Sequence, residues 1–142
     1  MIRVVPVTEQ HARQFEPHAD QADEDVESRV QLVMQQAALG PTWAVLASGE
    51  VIAIAGTVEP WKERAVGWAF LSHSSGAHML GLTRVVRKYL NECGYRRVET
   101  YVDAQFTKGC RWAELLGFRL ETPEPMPQFT PNGNSAYLYG RT

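Results

Sequence analysis

Gly94–Tyr95–Arg96–Arg97–Val98–Glu99–Thr100–Tyr101–Val102, followed by Arg111–Trp112–Ala113–Glu114–Leu115–Leu116–Gly117–Phe118, is the stretch whose reading decides the fold. It reads as a short strand, a turn, an amphipathic helix, a helix-ending glycine and an aromatic that opens another strand. Gly117 can take the left-handed conformation that a helix C-terminus needs, and Phe118 can then fall back onto the core.

Working outward, Ala77–Asn91 has helical spacing, with Met79, Leu82, Val86, Tyr89 and Leu90 on one face. Arg84, Arg87, Lys88 and Asn91 take the other face, and Cys93–Gly94 ends the helix. Upstream, Trp43–Ala47 and Val51–Val58 read as strands joined by the hairpin signal Ser48–Gly49–Glu50. Ala65–Ser72 is a third strand, reached through a connecting turn Glu59–Arg64. At the N-terminus, Ile2–Val7 is a strand, Thr8 caps a short helix over Glu9–Phe15, and a second helix carries Val26, Val30, Val33, Met34 and Ala37 until Gly40–Pro41. Asp20, Asp23, Glu24, Asp25 and Glu27 gather near the start of that helix. The helix dipole accounts for them there, and attraction of a cationic substrate is the sharper alternative. Downstream come helix Phe106–Leu116, strand Phe118–Glu121, a proline-rich connection, the turn Asn132–Gly133 and a last strand Ala136–Tyr139. Strands in a meander followed by a βαβ crossover imply a mixed sheet with helices on its faces.

The bulk properties exclude several classes. A chain of 142 residues is expected to form one domain, 1–142, large enough to bury a core without staples. A net charge of −2 gives no general drive toward nucleic acid or an anionic membrane. No apolar run reaches the ~18 residues of a membrane span, and the first residues do not read as a signal peptide. Cys93 and Cys110 have neither CxxC nor zinc-site spacing, so they read as reduced thiols of a cytoplasmic protein.

A strand that runs into a Ser/Gly loop opening a helix presents backbone N–H groups at a positive dipole end, a geometry that suits a pyrophosphate. Ser74, Ser75, Gly76, Ala77 and His78 are the candidate lining, with Arg84 or Arg87 adding charge; an ordinary turn and cap is the competing reading. Trp61, beside Pro60, is expected to be exposed and could flank an acceptor pocket, whereas Trp43, Trp68 and Trp112 are expected in the core or half-core.

The element order, the loop-to-helix unit and the Arg-Trp-Ala-Glu-Leu-Leu-Gly-Phe ending resemble the GCN5-related N-acetyltransferase (GNAT) superfamily. The tail Asn132–Arg141 resembles its small bacteriophage-encoded members. The resemblance implies an α/β (α+β) fold: a mixed, mostly antiparallel sheet of six to seven strands, helices on both faces and a central splayed parallel pair. That pair would be Ala65–Ser72 and Val98–Val102, with acetyl-CoA between them. Backbone groups near Leu71 and Ser72 would bind the pantetheine arm, Leu71 would supply the oxyanion donor, and Ser74–His78 would take the pyrophosphate. Glu59 is the candidate base, directly or through water, since Ala65–Ser72 carries no carboxylate. The chain departs from the pattern twice. One glycine, Gly76, stands where the phosphate loop usually has two small residues, and Ala113 stands where a proton-donating tyrosine often lies.

The expected function is acetyl transfer from acetyl-CoA to an unidentified amine, small molecule or protein, through a ternary complex. No metal, nucleic acid or membrane is implied, and an exposed late strand would allow a homodimer. Localisation would be cytoplasmic, the host cytoplasm for a phage-encoded chain. Alternative readings are a non-catalytic phage structural or assembly protein on the same scaffold, or an acyl-CoA-binding module.

Overall fold

A computed structural model describes residues 1–19 and 25–142. The acidic positions Asp20, Asp23 and Glu24 lie outside the described residues. Among the described residues seven strands are ordered β1-β2-β3-β4-β5-β7-β6; β1–β2, β2–β3, β5–β7 and β7–β6 pair antiparallel, and β4–β5 pairs in parallel. In sequence these are β1 (Ile2–Pro6), α1 (Glu9–Gln14), α2 (Val26–Leu39), β2 (Thr42–Ala47), β3 (Glu50–Trp61) and β4 (Arg64–Leu71). There follow α3 (Met79–Glu92), β5 (Arg97–Asp103), α4 (Thr107–Leu115), β6 (Arg119–Leu120) and β7 (Ala136–Arg141). The expected order of elements and the mixed sheet are both present. Two compact units share the chain: Met1–Glu59 with Gly67–Leu82, and Pro60–Val66 with Thr83–Thr142.

In the first unit, β1 pairs β2 from Ile2↔Ala47 to Pro6↔Trp43. Ser48 (φ 52) and Gly49 (φ 80) both take left-handed conformations, the turn that matches the twist of a tight hairpin. Thr8 caps α1 by accepting from the His11 N–H at 3.2 Å, and Asp25 caps α2 by accepting from the Ser28 N–H at 2.7 Å. Ala12, Phe15, Val30, Val33, Ala44, Val51 and Ile54 form the core, with Trp68 and Phe70 packed against it. Arg29, on the apolar side of α2, is also buried and donates to the Phe15 carbonyl at 2.8 Å.

In the second unit, β4 and β5 pair in parallel over Arg64↔Arg97, Ala65↔Val98 and Val66↔Glu99. β7 pairs β5 along its whole length, from Val98↔Arg141 to Asp103↔Ala136. The quoted helix ending forms as expected. Gly117 has φ 94, its N–H donates to the Glu114 carbonyl at 3.0 Å, and the Phe118 N–H donates to the Ala113 carbonyl at 3.0 Å. Phe118 is buried. Trp112 Nε1 donates to Thr83 Oγ1 at 2.9 Å, which ties α4 to α3.

Two expectations are corrected. The connection expected over Glu59–Arg64 is strand nearly throughout, because β3 runs to Trp61 and only Lys62 and Glu63 turn. Pro60 does not break it, since its fixed φ suits extended chain where no ladder N–H is needed. The late strand is not an open edge either: β7 is flanked by β5 and β6, and the outer strand β6 has two residues.

Close approach also constrains the first unit. Gly40 is extended (φ −176), and a Cβ there would meet the Thr57 carbonyl oxygen at 2.0 Å. Gly40→Ala must push α2 away from β3 and is expected to lower stability by about 1–3 kcal/mol. A urea melt checks this, and an unchanged midpoint would contradict the packing described.

Candidate functional site

The chain leaving β4 folds into a tight turn. The Ser72 N–H donates to the Ile52 carbonyl at 2.9 Å, and the Ser75 N–H donates to the Ser72 carbonyl at 3.2 Å. Ser72 and Ser75 are buried at 1% and 4% exposure, so their hydroxyls sit inside the turn rather than on its surface. Ser72 Oγ and Ser74 Oγ lie 3.1 Å apart, and Ser74 Oγ donates to Glu50 Oε1 at 2.6 Å. A 3-10 helix, Ser75–His78, then feeds directly into α3. The structure thus brings Leu71, Ser72, Ser74 and Ser75 together and leaves Gly76 and Ala77 exposed, with His78 half-buried. A Cβ on Gly76 would meet nothing within 4 Å. Packing does not demand that glycine, and the space over it is open.

The other edge of this turn is already engaged. The His18 N–H donates to the Leu71 carbonyl at 2.7 Å and the His73 N–H to the Glu16 carbonyl at 3.1 Å, around an antiparallel bridge of Pro17 with Ser72. His73 Nε2 also lies 3.5 Å from Glu16 Oε2. The strap Glu16–His18 therefore takes up the Leu71 carbonyl, while Ser72 commits its N–H to Ile52. These are among the backbone groups assigned from sequence to a pantetheine arm. Of the remaining assigned residues, Glu59 is exposed two positions before the end of β3. Arg84 is exposed on α3 with no hydrogen bond or ion pair among the described residues.

The strongest electrostatic feature was invisible in the sequence. Glu99, on β5, is 5% exposed. Arg64 grips it with two bonds, Nε to Oε1 at 2.6 Å and Nη2 to Oε2 at 2.8 Å, and Arg97 Nε adds a third at 2.7 Å. The Arg64 hydrogen bond first, and Arg97 with it, hold this carboxyl down at about 2, against the desolvation that opposes them. Arg97 also pairs with Glu121. Only the alternation of Arg97, Glu99 and Tyr101 on one strand face hinted at this cluster, and Arg64, 35 residues away, carried no sign of it. On α4, burial raises the pKa of Cys110 away from the thiolate, and Ala113 is buried at 4% exposure. Burial thus keeps the Cys110 thiol protonated and disfavours it as a nucleophile, and Ala113 has no ionisable group.

Sheet order, the parallel β4–β5 pair and the turn opening α3 together define the fold of GCN5-related N-acetyltransferases. Solved structures agree. The ribosomal-protein-S18-alanine N-acetyltransferase of Escherichia coli superposes with a TM-score of 0.74 at 17% identity, covering 99% of this chain and 93% of that one. A GNAT-family acetyltransferase of Streptococcus pneumoniae gives 0.64 at 13% identity, covering 99% and 98%. A protein of Salmonella typhimurium, provisionally assigned as an acetyltransferase and solved with its cofactor acetyl-CoA, gives 0.64 at 13% identity, covering 98% and 92%. No family model matches the chain, and no curated protein matches its sequence.

Two outcomes follow from this geometry. Glu99 has a folded pKa depressed from 4.5 to about 2, so its contribution is complete above about pH 4.5 and is lost as pH falls toward 2. The difference in melting temperature between the protein and Glu99→Gln should therefore be largest near neutrality and shrink through that window. His18→Pro removes the donor to the buried Leu71 carbonyl and should cost about 1 kcal/mol or more in a denaturant titration. An unchanged midpoint would mean that the strap does not hold this edge.

Proposed function

We propose that this protein is an N-acetyltransferase that moves an acetyl group from acetyl-CoA to an amine by direct transfer in a ternary complex. The observation that carries the reading is the open helix start at Gly76, in a fold whose solved neighbours are named as acetyltransferases. The pyrophosphate would lie against the backbone N–H groups at Gly76, Ala77 and His78, where the dipole end favours negative charge.

In the transfer, the neutral amine attacks the thioester carbonyl, the carbon becomes tetrahedral, and the C–S bond breaks to release the thiolate. A backbone N–H near Leu71 would donate to the developing oxyanion. Glu59 would take the proton that the amine sheds, directly or through water. The thiolate takes its proton from solvent, because the buried methyl group of Ala113 has none to give.

A second reading, a non-catalytic acyl-CoA binder, is favoured by one specific feature. The Leu71 carbonyl and the Ser72 N–H are already bonded within the protein, and acetyl-CoA would have to displace the Glu16–His18 strap to reach the former.

Thermal melting with acetyl-CoA tests the shared premise. A ligand at 100 times its dissociation constant adds about 2.7 kcal/mol, a shift of several degrees. Gly76→Trp should abolish that shift, and a flat response at about 1 mM acetyl-CoA would overturn both readings. Where binding is seen, acetyl-CoA-dependent thiol release across a panel of amines separates enzyme from binder.

A further inference from the structure

The hairpin tip between β3 and β4 builds a cleft that lies wholly within the second unit. Lys62 and Glu63 turn the chain, and Glu63 takes φ 68, a left-handed conformation uncommon outside glycine. Its carbonyl accepts the backbone N–H groups of both Arg96, at 2.9 Å, and Arg97, at 3.1 Å. The tip is thereby pinned to the start of β5, and the two segments border an open surface cleft of about 490 Å³. That lies within the range of small-molecule sites, roughly 300–1,000 Å³.

The charges of the cleft fall into a satisfied floor and an available rim. On the floor, Glu99 is matched by Arg64 and Arg97, and Arg97 also reaches Glu121. On the rim, Arg96 pairs with Glu63 at 2.9 Å, but the two side chains are 79% and 46% exposed, and such a surface pair is weak. Lys62 has no partner among the described residues. Lys62, Arg64, Arg96 and Arg97 thus outnumber Glu63, Glu99 and Glu121. Beside these cations stands Trp61, 64% exposed, with the Arg64 guanidinium carbon 4.2 Å from its ring centroid. That cation–π contact orients the indole, so a flat ring shares the cleft lining with two exposed cations, Lys62 and Arg96.

We propose that this cleft binds a small phosphate ester that carries a planar ring, of the nucleoside monophosphate class. The ring stacks on Trp61, and the phosphate is held by Lys62 and by Arg96, which exchanges Glu63 for it. A guanidinium binds phosphate through two parallel hydrogen bonds, a stronger arrangement than its exposed contact with Glu63.

Titration of the full chain with adenosine 5′-monophosphate, adenosine and inorganic phosphate tests this, read by tryptophan fluorescence and calorimetry. The monophosphate should bind saturably, with adenosine and phosphate each weaker by about tenfold or more. The double variant Lys62→Ala/Arg96→Ala should weaken it by about tenfold or more while leaving the melting temperature unchanged, since both side chains are exposed. Trp61→Leu should weaken it while leaving phosphate unaffected. Gly76→Trp should have no effect on any of the three, which separates this site from the acetyl-CoA loop. The proposal is overturned if the monophosphate fails to saturate by about 10 mM, if the double variant binds it as well as the parent, or if Gly76→Trp abolishes binding.

Discussion

The parallel pairing of β4 with β5 rests on the carboxylate of Glu99. The register joins only three residues on each strand, too few for a ladder to hold by itself. Arg64 begins β4 opposite Arg97 of β5, and both guanidiniums converge on Glu99. A one-residue slip would turn Arg64 to the opposite face of the sheet. It would leave a buried carboxylate without half its partners, a loss of about 3–5 kcal/mol. Buried ion pairs add little net stability against apolar replacements. Their use here is specificity: they make one register far cheaper than its neighbours.

That anchor places a short parallel start and leaves the rest of β4 to its own end. There the backbone is handled differently. Ser72 is drawn to β3 through Ile52, and the Leu71 carbonyl is taken by the strap Glu16–His18. What stays open is the helix start beyond, at Gly76 and Ala77. On the function proposed above, binding energy for an acyl-CoA would come from the phosphate end, while contact along the strand would require an exchange of hydrogen bonds. Exchange of this kind is nearly neutral in free energy when both partners are satisfied before and after.

Local signals were legible wherever a few consecutive residues settle the matter. The Leu116–Gly117–Phe118 ending, the Thr8 cap and the Ser48–Gly49 turn all form as read, because each depends on left-handed backbone or on a side chain reaching its own neighbours. Trp61 is exposed and Trp112 buried, as their settings suggested. Illegible were features whose cause lies far along the chain. Arg29 reads as a surface residue of α2 until the Phe15 carbonyl meets it. Glu99 reads as a strand carboxylate until Arg64 arrives, and the length of β3 was hidden behind Pro60. Ser72 and Ser75, whose stretch of backbone was assigned from sequence to a ligand, are buried in their own turn.

By itself the sequence determined the order of elements, their caps and turns, and a helix start with one glycine, since these follow from periodicity and from backbone conformations that few residues adopt. Only the tertiary structure decided which polar groups remain available. Hydrogen-bond partners come from distant segments, and a donor or acceptor in a turn is indistinguishable in sequence whether it faces solvent or another strand. The quoted helix ending was therefore certain from eight residues, whereas the charge that faces each cleft depended on the whole chain.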